Sequence, residues 1–215
     1  MKAKHWNYLS WLVILITIFA SAYFYDKLPD QVVTHWNAAG EPDGWGSKNF
    51  VTFFIPGLLI GMYLLFQWLP KLDPKKANYA KFFNIYKIFQ FVIIAFLSFM
   101  YFITTLYNIG WKIDIGATIS IVVGLMMVIF GSNMKKIKTN WFIGIRTPWT
   151  LSSEVVWKKT HEFAAKIFVF GGLLFIIISF LPAEWFMWLL ILIILVLLSP
   201  AVYSYFIFRD IKEKS

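Results

Sequence analysis

An all-α fold, that of a polytopic integral membrane protein with six transmembrane helices, is what this sequence predicts, and three observations carry it. Charged residues are only 14% of the chain, against roughly a quarter in a soluble domain. The apolar residues, 60% of the total, gather in six uncharged stretches, 6–25, 49–69, 88–111, 115–134, 167–183 and 185–208. Each is near or above the ~17 residues that cross a hydrocarbon core. Lysines and arginines crowd alternate connections between the stretches. Lipid offers an open backbone no hydrogen-bond partner, so every stretch should be helical, and residues 1–215 read as a single six-span membrane domain.

The first span is preceded by Lys2 and Lys4 and contains Ala20-Ser21-Ala22, a pattern that also fits a cleavable signal peptide. Its apolar run continues through Tyr23, Phe24 and Tyr25 to spanning length, which favours a retained helix. Next comes 28–48, LPDQVVTHWNAAGEPDGWGSK. Turn signals at Asn37 to Gly40 and at Pro42-Asp43-Gly44 predict an ordered loop. It gathers His35, Trp36, Asn37, Glu41, Asp43 and Trp45, hydrogen-bonding groups beside flat aromatic surface. In the second span Pro56, and in the sixth Pro200, predict kinks rather than breaks. Gly57 and Gly61 form a GxxxG face for close helix approach, while Gln67, Gln90 and Asn108 can bond between helices. The second connection, 70–87, reads as a basic turn anchored on anionic lipid, and the third, 108–114, as a tight structural turn.

The fourth connection runs from Lys135 as KKIKTNWFIGIRTPWTLSSEVVWKKTHEF. Pro148 disfavours helix at Thr147, and Ser152 is placed to cap a helix with Glu154 in its first turn. From Ser153 onward Trp157, His161, Ala164 and Phe168 share one face, with Thr160 at its edge; Lys158, Lys159, Glu162 and Lys166 share the other. This predicts an amphipathic interfacial helix running into the fifth span, with 135–166 as one motif. The pairs Lys158–Glu162 and Glu162–Lys166 stand at i,i+4 and add support.

Orientation follows from the basic residues. Lys2, Lys4, Lys71, Lys75, Lys76, Lys81, Lys135, Lys136, Lys138, Arg146, Lys158, Lys159, Arg209, Lys212 and Lys214 fall on one side, and Lys27, Lys48 and Lys112 on the other. The positive-inside rule then puts both termini in the cytoplasm and 28–48 outside. The net charge of +9 thereby finds its partners in lipid headgroups, and no direct nucleic acid binding is expected.

Catalytic signatures are missing: the chain has no HExxH, GxSxG, Walker A or GxGxxG motif, and no cysteine. No cofactor is expected. His5 and His161 lie across the membrane from His35 in this topology, so an all-histidine metal centre is excluded. His35 with Asp30, Glu41 or Asp43 could form a mixed site, but turn-forming acids beside one histidine more often bond the loop's own backbone, and no metal is expected. Arg146, between Trp141 and Trp149, can stack on an indole while pairing with a carboxylate or a lipid phosphate. His161 reads first as a packing residue and second as a proton carrier. The spans hold no charge in their middles and no internal repeat is visible, which disfavours a coupled transporter.

Two stretches together resemble one family. LPDQVVTHWNAAGEPDGWGSK resembles the loop of a domain of unknown function that accompanies SdpI-type membrane proteins, and NWFIGIRTPWTLSSEVVWKKTHEFAAKIFVFGG resembles the second signature of the same family. The resemblance implies a bacterial cell-membrane protein giving immunity to a secreted antibacterial peptide toxin; in a signalling version it also sequesters a cognate cytoplasmic repressor. Carried over, the outer motif maps to Pro29, His35, Asn37, Gly40, Pro42, Asp43 and Trp45. The inner one maps to Asn140, Gly144, Arg146, Thr147, Pro148, Trp149, Trp157, Thr160 and His161. In this reading Trp36 and Trp45 with the polar turn engage the toxin, and the inner motif stabilises the bundle or docks a partner. The alternative is a small transporter or membrane enzyme acting on lipid or envelope precursors, with Arg146 clamping phosphate and His161 as acid or base.

Overall fold

The computed structural model describes residues 3–37, 39–181 and 183–213. Among them six helices are long and apolar enough to cross a membrane, as expected. In chain order the elements are α1 (Ala3–Phe24), β1 (Gln31–Trp36), β2 (Pro42–Ser47), a π-helical turn (Phe50–Phe54) leading into α2 (Ile55–Leu72), a 3₁₀ turn (Lys76–Lys81), α3 (Phe83–Asn108), α4 (Ile115–Met134), the short α5 (Pro148–Ser152), α6 (Glu154–Ile178) and α7 (Ala183–Lys212). The loop expected as a chain of turns is instead a two-stranded antiparallel sheet.

The helices outrun the uncharged stretches, since a helix need not end where lipid does. α3 takes in Lys87, and α6 carries Lys158, Lys159 and Lys166 before its apolar half. The expected interfacial helix and fifth span are thus one continuous rod. Ser153 caps it, its Oγ accepting from the Val156 N–H at 3.4 Å, whereas Ser152, the expected cap, closes α5. Pro56 has no N–H for the carbonyl four residues back at Thr52, and the wide π turn lies over that position. α7 continues through Pro200 without a break.

Contacts group the chain into two compact units. The first comprises Met1–Trp68 and Lys87–Ile119. Its core is Ile14, Leu59, Tyr63 and Ile94, with Thr17 Oγ1 and Ser98 Oγ joined at 2.7 Å between α1 and α3. A second cluster, Leu28, Val32, Val51 and Tyr101, lies beneath the hairpin. Gln67 and Gln90 meet as expected, Nε2 to Oε1 at 3.4 Å, and the buried Lys87 ammonium donates to both side chains at 2.8 Å. Lys87, the last residue of the connection read as a basic turn, is therefore inside the unit.

The second unit comprises Leu69–Tyr86 and Ser120–Ser215. Here α4 and α6 touch backbone to backbone. A Cβ on Gly124 would sit 2.5 Å from the Gly172 carbonyl oxygen, and one on Gly131 would sit 2.8 Å from the Val169 nitrogen. The expected GxxxG face is not used this way: a Cβ at Gly57 or Gly61 meets nothing within 4 Å. The spacing permits close approach, but among the described residues no neighbouring helix comes against those glycines.

Gly124→Ala should therefore lower the thermal midpoint of the purified protein by several degrees, through overpacking of about 1–3 kcal/mol. Gly57→Ala should leave it unchanged or raise it slightly. A scanning fluorescence melt of the two variants decides the matter, and equal losses would contradict this packing.

Candidate functional site

The hairpin is built on cross-strand pairs Gln31↔Ser47, Val32↔Gly46, Val33↔Trp45, His35↔Gly44 and Trp36↔Pro42, with irregularities on both sides of His35. Pro42-Asp43-Gly44, expected as a turn, thus opens β2. Chain reversal is achieved earlier, by Asn37, whose Oδ1 accepts from the N–H groups of Ala39 (2.9 Å) and Glu41 (3.0 Å). Gly40 supplies the left-handed φ of +79°, so the expected turn from Asn37 to Gly40 is present. Gly44 answers a different need. A Cβ there would lie 2.8 Å from the Cβ of His35 across the ladder.

The hairpin residues then divide by surroundings. His35 Nδ1 lies 2.5 Å from Asp43 Oδ1, both side chains exposed. Trp45 is 59% exposed, whereas Trp36 is half-buried with its ring edge-on to Tyr107 of α3 at 5.2 Å. Pro29 is exposed at the entry. At the base, Lys48 pairs with Asp30 at 2.8 Å. That hydrogen bond, then the ammonium's charge, holds the Asp30 carboxyl below its usual range. With Asp30 on Lys48 and Glu41 bonded to Asn37 Nδ2 at 3.2 Å, the mixed metal site is not assembled. No cluster of three His, Asp or Glu able to hold a metal occurs among the described residues.

Asn108, expected to bond between helices, clamps the hairpin. Its Oδ1 accepts from the Val33 N–H at 2.7 Å, and its Nδ2 donates to the Val33 carbonyl at 3.0 Å. An isolated two-stranded hairpin is marginal in water. Two hydrogen bonds worth about 0.5–1.5 kcal/mol each decide whether it is ordered. Beside the hairpin, Ser21, Tyr25, Thr52, Phe53 and Pro56 line an apolar cavity of about 360 Å³. The buried hydroxyls of Ser21 and Thr52 have no hydrogen-bond partner among the described residues.

The inner motif lies in the second unit, and most of it is buried against itself. Asn140 is fully buried: its Oδ1 accepts from the N–H groups of Phe142 (2.9 Å) and Ile143 (2.7 Å), and its Nδ2 donates to the carbonyls of Lys138 and Ile143. Gly144 stands at φ +106° with the His161 ring pressed on the face a Cβ would occupy. His161 bridges loop and helix. Nε2 accepts from the Ile145 N–H at 3.1 Å, and Nδ1 lies 2.8 Å from the Trp157 carbonyl. A backbone N–H can only donate and a carbonyl only accept, so the ring is the neutral Nδ1–H tautomer. It is stacked on Trp157, whose Nε1 donates to the Ile137 carbonyl at 2.9 Å. With Nδ1–H bonded to a carbonyl and Nε2 to an N–H, neither nitrogen is free to exchange a proton with a substrate.

Thr147 is extended, as Pro148 requires, and forms a reciprocal cap with Thr150 on α5. Its hydroxyl also meets Ser204 of α7 at 3.0 Å. Thr160 is buried, with its hydroxyl unpartnered among the described residues. Trp149 packs edge-on to Tyr205 rather than on the guanidinium. Arg146 is exposed and donates from Nη1 to the Trp141 carbonyl at 2.7 Å. The expected indole stack is absent, but Arg146 and the half-exposed Trp141 form the outward part of the motif.

Sequence reading missed what ties this motif down. Asp73, read as part of a basic lipid anchor, is buried; it accepts from the N–H groups of Lys75 (2.7 Å) and Trp141 (2.8 Å) and from the Tyr79 hydroxyl (2.9 Å). Burial, followed by the bond to Asp73, raises the Tyr79 phenol well above its usual range and keeps it a donor. Asn78 adds a bond to the Thr139 carbonyl at 2.8 Å. A lone acid before proline in a lysine-rich run was the available signal.

Asn108→Ala should free the hairpin without unfolding the helices. Hydrogen exchange of the 31–47 amides is expected to accelerate by roughly ten-fold or more while α1 and α2 keep their protection.

Comparison with known proteins gives two family matches. The SdpI/YfhL protein family matches residues 136–204, and a domain of unknown function (DUF1648) matches residues 12–60. The immunity protein SdpI of Bacillus subtilis (strain 168) is 31% identical over 196 residues, covering 91% of each chain. No solved structure matches.

Proposed function

We propose, from the premise that this chain belongs to the SdpI/YfhL protein family, that it is a multi-pass membrane protein giving its cell immunity to a secreted antibacterial peptide toxin. The observation that carries the reading is the 31% identity to an immunity protein across 91% of both chains. The arrangement of both motifs supports it. The hairpin offers Trp45 to the surface beside the His35–Asp43 pair, and an apolar cavity lies in the same unit, a combination suited to the apolar and polar faces of an amphipathic peptide. Trp36, expected to touch the toxin, is better placed to hold the hairpin on Tyr107.

The reading assigns no reaction. His161 has both nitrogens engaged by backbone, so the acid–base role of the enzymatic alternative lacks a free group, while Arg146 is exposed and bonds the Trp141 carbonyl through Nη1, which leaves guanidinium donors for a partner. The whole of 1–215 acts as one membrane domain in this scheme. The lysine and arginine bias supports a cytoplasmic position for both termini and for 135–166, and an outer position for 28–48. Trp141 and Arg146 are then the cytoplasmic surface on which a sequestered repressor would dock.

Toxin challenge of a sensitive cell expressing the chain tests this, with membrane abundance measured in parallel. Trp45→Ala and Arg146→Ala are each expected to lower the tolerated toxin concentration by about ten-fold, the effect of losing one well-placed contact, at unchanged abundance. Full protection by both variants would remove the two sites from the mechanism. No protection by the unaltered chain against any toxin of this class would remove the immunity reading.

Sidedness has its own measurement, because the chain contains no cysteine. In intact cells a membrane-impermeant maleimide should label Trp45→Cys and leave Lys136→Cys unlabelled until the cells are opened; the reverse pattern would invert the topology.

A further inference from the structure

A second cavity, about 730 Å³, opens between α4 and α6 in the second unit. Its floor is the glycine seam, where Gly131 lies against Ala165 and Val169. That seam also sets direction. Gly124 faces Gly172 and Ile176, and Gly131 faces Ala165 and Val169, so the two helices run antiparallel. Lys135, just past the end of α4, therefore falls at the same end of the groove as Glu162 and Lys166 of α6. Val169, Phe170 and Leu173 continue along the groove away from that end, over about 10 Å from Lys166 at 1.5 Å per residue.

The groove is cationic at one end and apolar along its length. Lys135 and Lys166 make no ion pair among the described residues; the expected Glu162–Lys166 pair does not form, and Glu162 stands 4.0 Å from Lys158 instead. Phe170 and Leu173 are 53% and 48% exposed, which in a spanning helix means exposed to lipid. Two ammonium groups above an open apolar trough match one chemistry, a phosphate carrying an acyl chain with no compensating positive charge. A choline headgroup would set a third cation beside two lysines. A free phosphate would leave the trough unfilled.

We propose that the α4–α6 groove binds one anionic glycerophospholipid, its phosphate held by Lys135 and Lys166 and an acyl chain laid along Val169, Phe170 and Leu173. Ser132 stands at the groove wall, exposed, its hydroxyl turned back to the Val128 carbonyl at 2.7 Å, so the wall leaves space for the chain. Glu162 weakens the site by placing one anion at its rim.

Native mass spectrometry of the full chain in detergent tests this, with phosphatidylglycerol and phosphatidylcholine of matched acyl chains as probes. Phosphatidylglycerol should be retained about ten-fold more tightly than phosphatidylcholine, the scale expected for two lysines near a phosphate. The preference should vanish in the K135Q/K166Q variant, persist in K135R/K166R and rise in E162Q. S132F, which fills the trough, should cut retention of phosphatidylglycerol. Unchanged melting midpoints identify the variants as folded, and any variant that fails to fold is replaced by the single lysine change. Equal retention of the two lipids, an undiminished preference in K135Q/K166Q, or equally tight binding of deacylated glycerophosphoglycerol would each overturn the proposal.

Discussion

Backbone groups that a loop buries on membrane helices need hydrogen-bond partners within the protein, and five side chains bond loop backbone here. Asn37 closes the hairpin tip, Asn108 holds its first strand, Asp73 and Asn140 fold the inner loop, and His161 fastens that loop to α6. Each exchanges bonds with main-chain N–H or C=O groups, which cost several kcal/mol apiece if left bare in an apolar setting. The conformations of both motifs depend on these contacts. Residues that look like ligand-binding groups in the sequence turn out, in several cases, to be the loops' own fasteners.

This separates the motif residues into two kinds. Asn37, Gly40, Gly44, Asn140, Gly144, Thr147, Trp157 and His161 shape the loops. Trp45, His35, Asp43, Trp141 and Arg146 are what the shaped loops leave at the surface. The distinction rests on burial and on geometric fit: Gly144, for instance, has both a positive φ and an imidazole against its face. A motif can therefore be mostly scaffold around a few groups free to meet a partner.

Much of the architecture was legible in the sequence because it depends on composition over long windows. Six uncharged runs gave six helices, and the 3.6-residue spacing of Trp157, His161 and Ala164 gave the buried face of α6. Local turn chemistry was legible at Asn37 and Gly40. It misled at Pro42-Asp43-Gly44, where pairing with β1 outweighed the local preference for a turn. The glycines at 57 and 61 have an interface spacing, but no sequence pattern says which helix will come alongside; Gly124 and Gly172 meet across 48 positions. Asp73 and Asn108 reach partners 68 and 75 residues away, and such bonds leave no periodic trace in a single chain. At Ser152 and Ser153 the ambiguity was one residue, which pattern reading does not resolve.

The seam between α4 and α6 brings main chain against main chain at Gly124, Gly131 and Gly172, with the Ile176 and Val128 side chains beside it. A contact of that kind immobilises few rotamers, so its formation carries less of the side-chain entropy loss that accompanies ordering Leu, Met or Phe. It also has no slack. Warming, which loosens packed side chains by populating other rotamers, gives this contact no alternative arrangement short of separation. The α4–α6 pair should therefore behave as a stiff spar, and the spacing of whatever is mounted on its two helices, Lys135 and Lys166 among them, is fixed by glycine rather than by the larger residues around it.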